Sequence, residues 1–185
     1  MVAPGSAYGT SKLAGEKAVA AATDEHVILR TAWVYAPYGK NFVRTMLALA
    51  ESRDEVRVVA DQLGSPTYAP DIAVAIVGIV QNVLRDRSDP LLRGIFHLAG
   101  SGETSWSGFA SAIFTFLAAK GMRKPALTPI ASADYPTPAR RPGNSRLNCA
   151  KLAHVHGIEL PSWCDSLGIC LERLTGSIKD RDRKR

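Results

Sequence analysis

The sequence predicts an α/β fold with a mainly parallel sheet, and three observations carry that prediction. Short apolar runs rich in β-branched residues alternate with helix-period segments along the chain. The clearest run, "HVILRTAWVYA" (residues 26–36), is continuously apolar, as expected of a strand buried on both faces. And 46% of the 185 residues are hydrophobic, enough for one domain with a real core.

The elements follow in order. "TSKLAGEKAVAAA" (10–22) is Ala-rich and helical, and the 26–36 run is the first strand. "NFVRTMLALAES" (41–52) sets Phe42, Met46 and Leu49 at helical spacing, and "EVRVVA" (55–60) is a short strand. From Asp71 onward, Ile72, Ile76, Ile79, Val80, Val83 and Leu84 form an amphipathic helix, with Pro70 suited to its first turn. "GIFHLAG" (94–100) is a strand. "TSWSGFASAIFTFLAAKG" (104–121) is a helix stopped at Gly121. The segment "ADYPTPARRPGNSRLN" (133–148) holds three prolines and is expected to be neither a helix nor a central strand. Asn148 is placed to cap a short helix through His156. "PSWCDSLGICLERL" (161–174) opens the last helix. Neither an internal repeat nor a linker divides the chain. Residues 1–178 read as one folded unit, and the basic tail 179–185 reads as a frayed, disordered end.

Composition narrows the function classes. The net charge is +6, and five basic against two acidic residues in "KDRDRKR" supply half of it, so no nucleic-acid surface is expected. No apolar run is long enough to span a bilayer, and the first residues lack the pattern of a signal peptide. Cys149, Cys164 and Cys170 form no even framework, which favours a reduced, cytoplasmic setting. With His154 and His156 they match no zinc spacing, so no metal site is expected.

The stretch "YGTSKLAGE" (8–16) sets Tyr8 and Lys12 four residues apart. On a helix such residues share a face, one turn apart. A phenol titrates near pH 10, and a neighbouring ammonium favours its ionised form. The pair is therefore suited to acid–base work on a carbonyl or alcohol oxygen. Without further context, a surface Lys beside a packed ring is the commoner reading.

The context is a resemblance. "YGTSKLAGE" resembles the Tyr-x-x-x-Lys helix of the extended short-chain dehydrogenase/reductases. "LRTAWVYAPYGKNFVRTML", "ADQLGSPTYAPDIA", "FHLAGSGETSWSGFA" and "YPTPARRPGNSRLN" follow in the order of one branch, the dTDP-4-dehydrorhamnose reductases. The resemblance runs from about Ala7 to about Leu174. It implies a partial Rossmann-like parallel sheet with a smaller C-terminal lobe that binds the nucleotide sugar. It also implies reduction of dTDP-4-dehydro-β-L-rhamnose to dTDP-L-rhamnose with NADPH or NADH.

Roles carried over by the resemblance are these. Tyr8 gives a proton to the C4 ketone oxygen, and Lys12 lowers the pKa of Tyr8 and holds ribose hydroxyls of the cofactor. Thr31 lies with them on the cofactor side. Trp33 is a platform beside the sugar, Asn41 and Phe42 open a helix near it, and Gln62 and Thr67 contact base or sugar. Arg140, Arg141 and Arg146, on the proline-rich loop, bind the diphosphate through guanidinium forks.

No Gly-x-Gly-x-x-Gly occurs, and "LAGSGETSW" reads as an ordinary βα turn. The main cofactor-binding loop is therefore expected to be absent from this chain, and turnover by the chain alone to be impaired. Alternatives are a non-catalytic nucleotide-sugar-binding or regulatory subunit on the same scaffold, or a related nucleotide-sugar epimerase or reductase. A parallel sheet without its first strands leaves an open edge, so a homodimer or a partner chain covering that edge is expected.

Overall fold

The computed structural model describes residues 6–135, 137 and 142–182. Helix α1 (Ala7–Ala22) begins where the Ser6 hydroxyl accepts the N–H of Gly9 at 3.1 Å. Strand β1 (Val27–Arg30) follows. The expected single strand over 26–36 ends there. Trp33 adopts φ +51°, the chain leaves its first ladder, and Val34–Tyr35 form a separate strand, β2. One apolar run thus serves two ladders.

Helix α2 (Phe42–Ser52) is capped by Asn41. It leads to β3 (Glu55–Val59), then to the short β4 (Leu63–Gly64) and β5 (Thr67–Tyr68). Helix α3 (Ala69–Arg85) starts two residues before Asp71, with Pro70 in its first turn. Next come β6 (Gly94–His97), β7 (Thr104–Ser105) and α4 (Trp106–Ala119). The Ser105 hydroxyl caps α4 and Gly121, at φ +69°, ends its terminal turn. Strand β8 (Ala126–Ile130) has no counterpart in the sequence expectation, because Pro129 and Thr128 break its apolar pattern. Proline is tolerated because β8 pairs only with β3 among the described residues. Helix α5 (Ala150–His156) starts where Asn148 Oδ1 accepts the Ala150 N–H at 2.9 Å, as expected. Helix α6 (Trp163–Asp182) takes in residues 179–182, part of the segment assigned to the tail; Lys and Arg propagate a helix as well as most residues.

The ladders are mostly parallel. β1 pairs with β6, β2 with β5 and β3 with β8 in parallel, while β4 and β7 are antiparallel. Two apolar cores result. The larger joins α2, α4 and α6 around Tyr35, Val43, Phe109, Ile113, Phe114 and Leu171. The smaller lies under α3 and α5 against β6, with Ala75, Ile79, Phe96, Leu98 and Leu152. Helix α1 contributes no residue to either core and has none buried.

Candidate functional site

Ligands of open parallel sheets gather beyond the carboxyl ends of the strands. Here that edge follows Arg30 and His97, the last residues of β1 and β6, which sit side by side. Thr31 and Trp33 leave the sheet at this edge, Thr31 being exposed.

Helix α1 reaches the same edge through one ion pair. Arg30 donates from Nε to Glu16 Oε1 at 2.8 Å and from Nη2 to Glu16 Oε2 at 2.5 Å. The guanidinium holds the Glu16 carboxyl below its ordinary value. Tyr8, Lys12 and Glu16 are spaced by four, so they form one stripe. With Glu16 fixed at the end of β1, Lys12 and Tyr8 stand about 6 and about 12 Å further along the helix axis. The chain returns from Ala22 to the start of β1 at Val27, so the Tyr8 end of α1 is the end further along the chain from that return. The Lys12 ammonium lies 5.5 Å from the Tyr8 ring centroid. Tyr8 is 72% exposed, and no hydrogen bond among the described residues engages its hydroxyl. The two expected acid–base groups are thus neighbours, free to meet a ligand.

Trp33 is built in differently. Its indole stacks on Trp106, with centroids 3.6 Å apart and planes at 9°. Its Nε1–H donates to Ser145 Oγ at 2.8 Å, and its carbonyl accepts the Thr67 N–H at 3.1 Å. Gly64 makes room for the ring: a Cβ there would lie 2.4 Å from Trp33 Cε2. A left-handed backbone at a bulky residue costs about 1–3 kcal/mol. A stacked aromatic pair offsets about 0.5–1.5 kcal/mol of that, and a hydrogen bond about 1 kcal/mol more. The strain is therefore held by named contacts. Trp106 and Ser145 were not among the residues singled out from sequence. Gly64 was the available signal, since a glycine within a strand marks a close approach.

The other expected residues divide. Asn41 accepts the Arg44 N–H and donates to the carbonyls of Ala36 and Tyr38 at 2.8 and 3.1 Å, which fixes the loop before α2. Phe42 is half-buried against Trp106 and Phe109. Gln62 donates to the Ser132 hydroxyl at 2.9 Å. Ser132 in turn donates from N and Oγ to Asp61, lowering that carboxyl's pKa. Thr67 is fully buried: its hydroxyl donates to the Ser65 carbonyl and accepts the Gly100 N–H, tying β5 to the turn after β6. Arg146 donates to Glu103 at 2.8 Å and to Asn144 Oδ1 at 3.0 Å, on an exposed surface. Arg140 and Arg141 lie outside the described residues.

The remaining titratable groups near the cores are structural. Burial raises the phenol pKa of Tyr35 and pushes the Cys170 thiol up to about 11, so neither offers acid–base chemistry at neutral pH. Among the described residues no group of three or more His, Cys, Asp or Glu is arranged to hold a metal ion. No helix among them is long and apolar enough to cross a membrane. A cavity of about 130 Å³ between β6 and α5, walled by Leu98, Cys149 and Leu152, includes none of the expected site residues.

The family model described as the RmlD substrate binding domain matches residues 1–175. A dTDP-4-dehydrorhamnose reductase of Sinorhizobium fredii is 55% identical over 163 residues, covering 88% of this chain and 55% of that protein. Its namesake from Burkholderia thailandensis is 44% identical over 176 residues, covering 92% and 59%. Among solved structures, a dTDP-4-dehydrorhamnose reductase from Bacillus anthracis in complex with NADP superposes with a TM-score of 0.78 at 34% identity. That match covers 95% of this chain and 57% of the other. An orthologue from Clostridium acetobutylicum gives 0.82 at 36% identity, covering 95% and 58%. The chain spans a little over half the length of these relatives. With the family model matched over nearly all its residues, the chain belongs to the RmlD substrate binding domain family.

Proposed function

We propose that this chain carries the nucleotide-sugar side and the proton donor of a dTDP-4-dehydrorhamnose reductase. The observation that supports it most is that Tyr8 and Lys12 are neighbours a turn apart on α1, the helix whose Glu16 is paired to Arg30 at the end of β1. Tyr8 donates its proton to the C4 ketone oxygen, and the Lys12 ammonium offsets the charge left on the phenol. Trp33 lies against the sugar, and Arg146, with Arg140 and Arg141, meets the diphosphate.

A reduced nicotinamide, when bound, supplies the hydride. Tyr8, Lys12 and Thr31 fit its ribose side: all three are exposed, and the side chains of Tyr8 and Lys12 have no hydrogen-bonded partner among the described residues. The chain holds no Gly-x-Gly-x-x-Gly, so none of its residues is assigned to the pyrophosphate. The relatives' names favour a dTDP-sugar over other sugar nucleotides.

Calorimetric titration tests the reading. The chain is expected to bind dTDP-L-rhamnose in preference to UDP- and GDP-sugars, and to oxidise NADPH slowly if at all with the keto sugar. Absence of binding to any dTDP-sugar overturns the assignment. Rapid NADPH oxidation that survives Tyr8→Phe removes the role given to Tyr8.

A second reading, a binding subunit without turnover, is favoured by the absence of any buried residue on α1. It predicts dTDP-sugar binding with no NADPH oxidation under any condition. The edge of β1 away from β6 is unpaired among the described residues. That supports the proposal of a second copy or partner chain at this edge, which size-exclusion chromatography across dilution detects.

A further inference from the structure

Trp33 is the one non-glycine residue with positive φ among the described residues, and four contacts surround it. Trp106 covers a face of the indole, Ser145 binds its N–H, Gly64 leaves the space the ring occupies, and Thr67 holds its carbonyl. Ser145 is itself fixed, because its hydroxyl donates to the Leu63 carbonyl at 3.0 Å and its N–H donates to the same oxygen at 2.9 Å. The next residue, Arg146, is paired to Glu103, three residues before Trp106. The segment 142–148 is therefore joined to the start of α4 twice, once through the Trp33 ring and once through an ion pair.

We propose that Trp106 and Ser145 are positioning residues for the sugar half of the ligand. They hold the Trp33 indole in one orientation at the carboxyl edge of the sheet, against a backbone that otherwise relaxes to the extended region. This inference rests on the nucleotide-sugar reading above and deepens it, because it assigns sugar recognition to a joint rather than to Trp33 alone. A ring that pivots on its own Cα presents no fixed surface to the C–H groups of a sugar. A ring clamped on its face and edge does. The nucleotide half of the ligand does not depend on the clamp, so the two halves respond differently to its loss.

The test uses the full chain and two probes, dTDP and dTDP-L-rhamnose. Trp106→Phe is expected to keep a stacked ring and near-normal affinity for dTDP-L-rhamnose. Trp106→Ala and Ser145→Ala are each expected to weaken dTDP-L-rhamnose about tenfold while changing dTDP affinity less than about twofold. Ser145→Ala removes only a hydroxyl, so it decides the matter if Trp106→Ala does not fold.

If both ligands weaken equally, or neither weakens, in a folded Ser145→Ala chain, the positioning role is wrong. Failure of the wild-type chain to bind either probe removes the nucleotide-sugar reading and this inference with it. Unchanged sugar selectivity in variants of a chain that binds both removes this inference alone.

Discussion

The two sides of the proposed site are held in opposite ways. Helix α1, which carries Tyr8 and Lys12, runs for 16 residues without burying one, and the Arg30–Glu16 pair is its anchor to β1. The joint at Trp33 gathers a strand end, a glycine, a helix start and a loop around one strained residue. A proton donor must be held to within a fraction of an ångström and a few tens of degrees to work well. The joint has that rigidity from its own contacts, whereas α1 buries no residue and, among the described residues, is joined to β1 by the one ion pair Arg30–Glu16. On the proposed roles, shape recognition of a ligand belongs to the packed lobe, and proton transfer depends on how firmly α1 is held.

The comparison breaks most visibly in the core beneath the joint. Phe109 is fully buried and meets Tyr35, Phe42 and Trp163 at ring-centroid distances of 5.3 to 5.7 Å. Phe109→Ala removes a ring and leaves a cavity, a change that costs about 3–5 kcal/mol in such settings. Leu13→Ala on α1 removes a side chain that belongs to neither core, and is expected to cost less than about 1 kcal/mol. Urea denaturation of the two variants measures the contrast. Equal losses would show that α1 is packed as firmly as the lobe.

Much of this organisation was legible in the sequence, for identifiable reasons. The helix over 104–121 and its stop at Gly121, the helix beginning near Pro70, and the Asn148 cap all rest on local rules of periodicity and backbone conformation. The Tyr8–Lys12 proximity follows from helical spacing alone. What escaped depends on long-range pairing. The run over 26–36 splits because Trp33 is held in a left-handed conformation by Trp106 and Ser145, which are 73 and 112 residues away. Thr67 looked like a polar turn residue and is instead enclosed by segments brought together only in the fold. Strand β8 hides behind a proline that only a ladder with a free edge admits.

Acid sharpens the comparison, because the lobe and α1 respond in different windows. His156 is buried under the smaller core, edge-on to Phe96, with its Nδ1 3.5 Å from the Asn82 amide. Its Nε2 has no hydrogen-bonded partner among the described residues. Burial is the largest cause of a pKa below the ordinary 6.5; the Leu92 backbone opposes it, and the charge of Lys151 on the same helix adds to it. The folded state therefore binds this proton less readily than the unfolded chain. Stability falls as pH drops through about 6.5 and continues falling until the depressed folded pKa is reached, by no more than about 1.4 kcal/mol per pH unit. His156→Gln is expected to flatten that slope. Urea midpoints between about pH 7 and about pH 5 measure it, and a slope unchanged in the variant would assign it to another group.

The smallest global effect belongs to Glu16, and it is the most informative about α1. Its carboxyl is held below the ordinary 4.5 by the hydrogen-bonded Arg30 guanidinium, so acid lowers stability here as it does at His156, through loss of an attraction rather than through burial of a charge. The unfolded chain takes up this proton first as pH falls. The contribution of the ion pair is complete above about 4.5 and disappears as pH drops through the lower folded value. Glu16→Gln keeps one hydrogen-bond acceptor for Arg30 and removes the charge. It is expected to cost about 1 kcal/mol or less in global stability at neutral pH, the range for pairs near the surface. Its effect on amide exchange within α1 is expected to be larger than anywhere else in the chain, because this pair is what ties that helix to β1. Hydrogen exchange at neutral pH should therefore show faster exchange over residues 8–20 in the variant, with Phe109 and Ile113 in α4 unaffected. Acidifying the wild-type chain through the lowered Glu16 value should reproduce the variant's pattern. If α1 exchanges at the same rate with and without the Glu16 charge, contacts other than this pair hold the helix, and the contrast between a clamped lobe and a tethered proton donor disappears.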